Sequence, residues 1–320
     1  MLQFGRFAAM RFLLAVGTLL IVTFIVFSLM ELSLVNYSER CWFLKPADQH
    51  YIARWVNWVT EVFLHGDFGV SCITSNGTRI NTLLGNKFWI SLGICLSSLL
   101  LAYLIAIPVG IYSAVADSRA LNSFLRFFSY LGLAVPNFLL ALIILLVWSS
   151  VFSETLTGLF SREYQTADWS YDKLVDFLSH AWLPVIVLGW SATAFAMLTV
   201  RALVSDEYGK PYVTAARARG LSGRQLLLRY PARHALGPII NSLGFDLNRV
   251  FNELPIVAFI LTLTDAGALL LESLVRSNDQ PVAAAIIFLL TASIIALNFI
   301  TDIMLAALDP RFRRGVMGKA

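Results

Sequence analysis

The sequence predicts an all-α integral membrane protein with about six transmembrane helices and both termini in the cytoplasm. Three observations point there. Hydrophobic residues make up 58% of the 320-residue chain and charged residues only 14%, against roughly 45–50% and about 25% in soluble globular chains. The apolar residues gather in runs long enough to cross a hydrocarbon core, which takes about 20 residues of helix. Lysine and arginine are concentrated in alternate connecting segments, as the positive-inside rule requires. The same composition excludes a cytosolic enzyme, a disordered chain and a disulfide-framed secreted scaffold.

The spans are expected at about 9–30, 88–115, 124–149, 181–203, 237–262 and 282–306. The first follows Arg6 and Arg11 and has the look of a secretory signal. Its apolar stretch outruns the 7–15 residues of a cleavable signal and has no small-residue cleavage site, so it reads as a retained first helix. The second contains S-L-L-L-A-Y-L-I-A-I-P-V-G-I at 98–111; this does not alternate, which excludes a membrane β-barrel. Segments 31–87, 151–180 and 263–281 face outward, and their basic residues are outnumbered by acidic ones. Within the first, the aromatic stretch from Tyr51 to Leu64 forms an amphipathic helix that either lies on the outer membrane surface or packs on the ends of the spans. The chain thus divides into 1–87, a first helix with a long outer segment; 88–310, a five-helix core; and 311–320, a cytoplasmic tail.

The longest charged interruption, at about 206–238, lies between the fourth and fifth spans and holds Lys210, Arg217, Arg219, Arg224, Arg229 and Arg233. Helix-forming residues run from Tyr212 to Arg219 with small Ala215, Ala216 and Ala218 among them. Gly220 is placed to stop that helix in the left-handed conformation. Ser222 is placed to cap a second helix, from about Gly223 to His234. A basic helix–turn–helix is the outcome. On composition alone it could reflect topology and attraction to anionic lipid, and nucleic-acid binding is a weaker alternative for so short a tethered segment.

At these residues the chain resembles a known family. Y-V-T-A-A-R-A-R-G-L-S at 212–222 is similar to the EAA loop of permease subunits of bacterial binding-protein-dependent ABC importers, in its dipeptide, oligopeptide and nickel branch. F-L-H-G-D-F-G (63–69), I-P-V-G-I (107–111), V-P-N-F (135–138), H-A-W-L-P (180–184) and L-D-P-R-F-R (308–313) follow the same branch in order and spacing. Thr214 stands at the first signature position and Leu236-Gly237-Pro238 at the last. The resemblance implies a type I ABC importer permease fold in the bacterial inner membrane. It implies a non-catalytic subunit that pairs with a second, homologous permease, normally as a heterodimer, and works with two ABC ATPase subunits and a periplasmic substrate-binding protein. No cofactor is expected in this chain, ATP and Mg belonging to the ATPases. The loop would be the coupling helix docking on an ATPase, with Tyr212 and Ala215 on that helix, Ala216 the small residue at the contact, Gly220 the turn, and Arg217 and Arg219 partners for acidic groups. The cargo would be peptides or peptide-sized polar solutes, with a nickel chelate, an opine or a sugar conjugate as the alternative.

Absences agree with a non-catalytic role. The sequence contains no G-x-x-x-x-G-K-[ST] phosphate loop and no G-x-S-x-G elbow. His50, His65, His180 and His234 are scattered with no metal-ligand spacing. An ion-coupled secondary transporter would carry inverted repeats, which are not evident.

The fifth span carries Asn241, Asp246, Asn248, Arg249, Asn252 and Glu253. Charges at membrane depth cost about 2.5–3.5 kcal/mol each on insertion scales, so they should not face lipid. Helical spacing puts Asn241, Asp246, Arg249, Asn252 and Glu253 on one broad face, with Asp246–Arg249 (i,i+3) and Arg249–Glu253 (i,i+4) as pairs. These residues either neutralise one another and hold the helix against a neighbour, line the translocation path, or sit near its cytoplasmic mouth. Pro255 is expected to break or kink the helix. Cys95 falls in the second span as a small apolar residue, while Cys41 and Cys72 share the first outer segment, where a disulfide between them could form.

Overall fold

The computed structural model describes residues 2–31, 50–71, 78–116, 118–153 and 156–308, and among them no β-strand occurs. Helix α1 (Leu2–Glu31) is followed by the short α2 (Tyr51–Thr60), which ends in a π turn, and by α3 (Ile80–Leu84). The core is α4 (Lys87–Val115), α5 (Arg119–Ala134), α6 (Asn137–Phe152), α7 (Tyr171–Tyr208) and α10 (Pro231–Ile260). Between the last two lie α8 (Pro211–Ala218) and α9 (Gly223–Arg229), and the chain ends with α11 (Ala266–Leu271) and α12 (Gln280–Leu308).

Among the described residues, α1, α4, α7 and α12 are each long and apolar enough to cross a membrane. The expected third span is not one helix. It is α5 and α6, bent by 101° at Val135 and Pro136, both of which are extended (ψ 114° and 142°). The cause is local, because a residue before proline is pushed out of the helical region and Pro136, itself extended, stands at the N-cap of α6. The fifth span is longer than expected and continuous through Pro238 and Pro255; Pro255 does not break it. At 30 residues it measures about 45 Å, but its charges exclude it from the apolar class.

α7 is the organising element. It is 38 residues long and starts ten residues before the expected span, capped by Ser170, whose hydroxyl accepts from Lys173 N. Its most extensive partner is α4, and small residues permit the approach. A methyl added at Gly189 would sit 3.0 Å from the Ser98 carbonyl, and one at Gly110 2.8 Å from Val200. Close backbone packing of this kind is how membrane helices associate without a hydrophobic driving force. The stretch before α7 is folded rather than merely polar: Ser161 N and Oγ donate to Asp176. Burial raises the Asp176 pKa, but the Ser161 bonds outweigh it and hold the carboxyl below its ordinary value.

α1 and α12 run antiparallel. Arg11 pairs with Asp302 at 3.1 Å, and Val26 and Phe27 pack with Ala284 and Phe288. The two described ends of the chain therefore lie at the same end of the molecule. α2 packs on this pair through Trp58, 2% exposed, which selects packing on the span ends over a helix lying free on the membrane. Its other face still presents Ile52 and Val56 outward.

Candidate functional site: a basic helical turn and the polar face of α10

At one end of the molecule α8 and α9 form the expected basic turn. Pro211 opens α8 at a position where its missing N–H costs nothing. Gly220 closes it at φ +89°, with Leu221 N bonded to Ala216 O at 3.3 Å and Gly220 N to Arg217 O at 3.0 Å. These two bonds define a Schellman cap with glycine at its left-handed position. Two expectations need correction. Ser222 makes no side-chain cap bond, and the helix it precedes stops at Arg229, not His234, because Tyr230 leaves the helical geometry (ψ −79°) and Pro231 starts α10.

Ala216 is the third correction. It is fully buried in a small core with Val213 and Leu226, against Tyr208, Tyr212, Leu221 and Tyr230, so its small size serves the α8–α9 contact. The outward face instead presents Thr214, Ala215, Arg217 and Arg219. Arg217 lies over the Tyr208 ring at 5.2 Å, and Arg219 donates to the Tyr230 hydroxyl at 3.3 Å. Tyr212 is half-buried; its hydroxyl donates to the Glu207 carboxylate, which also takes a bond from Lys210. Burial raises the Glu207 pKa, but those bonds bring it below its ordinary value. Burial first, and then Glu207, push the Tyr212 phenol up. The Tyr212 ring meets the His234 ring of α10 edge-on at 5.0 Å. Glu207, which the sequence reading missed, thus ties the end of α7 to α8. Its spacing of three and five residues from Lys210 and Tyr212 was the available signal.

Along α10 the five polar residues lie on one broad arc, as helical spacing requires, but they differ in burial and in the neighbours they meet. Asp246 has no solvent exposure and turns to α4, where the Tyr103 hydroxyl donates to it at 2.7 Å and lies 3.1 Å from Ser242 Oγ. Asn241 and Asn252 are exposed, in line with Phe245 and Ile256, on the side of α10 turned away from its own core. Arg249 stands between. Its Nη1 is 3.9 Å from Asp246 Oδ1 and 3.4 Å from the Ser191 carbonyl, and its guanidinium covers Phe195 at 4.8 Å. Its ion contact among the described residues is with Asp246, not the expected Glu253. Glu253 is half-buried, and its Oε2 is buried with no hydrogen-bond partner among the described residues. Helical spacing alone could not separate these residues, because the direction of the neighbouring helices decides which part of a broad face is buried.

Cys41 and Cys72 lie outside the described residues, as does Asp309 to Arg313 of the closing motif. Cys95 is buried and free. Among the described residues no cluster of His, Cys, Asp or Glu could hold a metal ion.

Comparison with known proteins gives the arrangement its context. The chain is 28% identical over 322 residues to the "Peptide transport system permease protein SapB" of Salmonella typhimurium, covering 95% of this chain and 96% of the relative. It is 26% identical, with the same coverage, to the "Putrescine export system permease protein SapB" of Escherichia coli K12. The inward-facing MetNI methionine ABC transporter has the same fold, with a TM-score of 0.54 at 16% identity, covering 71% of this chain and 96% of that one. Residues 106–314, well over half of the sequence, match the family described as "Binding-protein-dependent transport system inner membrane component", and the chain is therefore an inner-membrane permease subunit of that ABC transporter family.

Proposed function

We propose that the chain imports peptides, or polar solutes of peptide size, from periplasm to cytoplasm. A permease of this family works with ATPase and substrate-binding partners and is itself non-catalytic. The finer assembly belongs to the proposal: a heterodimer with a homologous permease, two ATPases that hold the ATP and Mg, a periplasmic binding protein, and both termini in the cytoplasm. The observation that carries it is the Schellman-capped basic turn. It is an exposed, positively charged block that its own small core holds rigid and that Glu207 fastens to α7. Such a block can transmit a push from a docked ATPase into α7 and α10, whereas a flexible loop would absorb it. The exposed Asn241 and Asn252, with Arg249 and Glu253 at the margin, line the path. Asp246 holds α10 to α4.

The peptide cargo rests on the relatives' names, and the polyamine name of one of them makes the comparison of cargoes the useful test. The complex reconstituted in proteoliposomes, with its binding protein, should take up short peptides when ATP is supplied on the ATPase side. Uptake of putrescine but of no peptide would overturn the peptide reading, and movement only outward would overturn import.

A further inference from the structure

A groove of about 470 Å³ runs along α7 between α4 and α5. Ile105 and Val109 of α4 and Phe124 and Phe128 of α5 form its walls, and Ile186 and Met197 mark its ends on α7. Ser191 and Phe195, which meet Arg249 of α10, lie on the opposite side of α7 by helical spacing. The eleven residues from Ile186 to Met197 span about 16 Å, the depth of one leaflet in a hydrocarbon core about 30 Å thick. The hydroxyls in the lining are spent within their own helices, Ser129 on the Leu125 carbonyl at 2.8 Å and Thr193 on the Gly189 carbonyl at 2.7 Å. Trp190 presents its ring, its Nε1 being buried. The groove therefore suits hydrocarbon. One turn beyond Met197 stands Arg201, at the i,i+4 spacing that puts two Cβ atoms about 5–6 Å apart. Long side chains of a helix lean toward its N-terminus, which carries Arg201 back over the Met197 turn. Arg201 is half-buried, and its Nη1 has no hydrogen-bond partner among the described residues.

We propose that this groove holds a chain of an anionic phospholipid and that Arg201 takes the phosphate. Charge selects the occupant. α4 and α7 run parallel, with Ser98 beside Gly189 and Gly110 beside Val200, so the start of α5 lies at the same end as Arg201 and the basic turn. Arg126 of α5 is exposed and leans toward that end, its Nε donating to the Asn122 carbonyl at 3.3 Å. Neither α4 nor α5 contains an acidic residue. On α7 the nearest acids are engaged, Asp206 by Lys210 at 3.6 Å and Glu207 by Lys210 and Tyr212. An apolar helix laid in the groove would leave the arginines unanswered, whereas an anionic phospholipid brings hydrocarbon and negative charge in one molecule. With the basic turn in the cytoplasm, as proposed above, the lipid belongs to the cytoplasmic leaflet. The site is separate from the cargo, since α10 lies across α7 from it.

Native mass spectrometry of the detergent-purified complex of this chain with its partner permease and ATPases, titrated with phosphatidylglycerol or phosphatidylcholine, tests the site. Phosphatidylglycerol should bind more tightly than phosphatidylcholine. Arg201→Gln should weaken phosphatidylglycerol about fivefold, the share of one basic residue at an anionic headgroup, and leave phosphatidylcholine unchanged. Arg201→Lys should retain most of the affinity and shows that the loss is not a folding defect. Ile105→Trp, at a position that is already 43% exposed, should fill the groove and weaken both lipids. Equal binding of the two lipids by wild type, or unchanged binding by Arg201→Gln or by Ile105→Trp, overturns the proposal. Benzoylphenylalanine in place of Ile105, irradiated in native membranes, should give a phospholipid adduct. An adduct to the partner permease instead would put a helix in the groove and overturn it.

Discussion

Tyr103→Phe removes a single hydroxyl and tests whether Asp246 is a fastening or a path residue. That hydroxyl donates at 2.7 Å to a carboxylate with no solvent exposure, whose other polar neighbour, Arg249, stands 3.9 Å away. A hydrogen bond to a charged group contributes about 1.5–3 kcal/mol, and the buried acceptor left behind adds its own desolvation cost. The substitution should therefore destabilise the chain by about 2–3 kcal/mol. In an Asp246→Val background the tyrosine retains Ser242 at 3.1 Å, a neutral pair worth about 0.5–1.5 kcal/mol. The two substitutions should then couple by about 1–2 kcal/mol. Unfolding by sodium dodecyl sulfate in mixed micelles, followed by circular dichroism, measures all four corners of the cycle. Assembled Tyr103→Phe should keep wild-type substrate range, because Asp246 faces α4. Coupling under about 0.5 kcal/mol, the level expected of independent sites, would refute the fastening, and an altered substrate range would refute its separation from the path.

Gly220→Val places a β-branched residue at φ +89°, a strain of about 1–3 kcal/mol, although its Cβ meets nothing within 4 Å. The variant should insert and assemble yet hydrolyse ATP without uptake, while Gly220→Asn retains most coupling; normal uptake by Gly220→Val would count against the coupling turn. Ala216→Leu overfills a closed core at a cost of about 1–3 kcal/mol and should give the same uncoupling, together with faster proteolysis between Arg217 and Arg224. Glu207→Ala frees Lys210 and Tyr212 and should raise the ATP consumed per solute moved, with partial recovery in Glu207→Gln; an unchanged ratio contradicts the joint between α7 and α8. Asp265 caps α11 and pairs with Ser91, and burial pushes its carboxyl up to about 6. Since the folded chain then holds the proton more tightly than the unfolded chain, stability falls as pH rises from about 4 to 6. The melting temperature should decline across that window in wild type and stay level in Asp265→Asn.

Hydrophobic run lengths alone determine that this chain lives in a membrane as helices, because a span must satisfy its own backbone hydrogen bonds where water is absent. The turn at Gly220 was equally legible, since few residues adopt a positive φ without strain. The bend between α5 and α6 was written in Val135-Pro136-Asn137 too, but hydropathy averages over a window and passes across a proline unmarked. Only the tertiary structure decided what the polar and small residues are for. Ala216 has the small side chain that suits either docking or internal packing, and the position of α9 made it internal. Asp246 and Asn252 belong to one broad arc of α10, yet Tyr103 of α4 claims the first and leaves the second exposed. Periodicity assigns a residue to a face of its own helix, whereas burial depends on which neighbour covers that face. Neighbours are chosen by close packing between segments distant in the chain, such as α4 against α7 through Gly110 and Gly189.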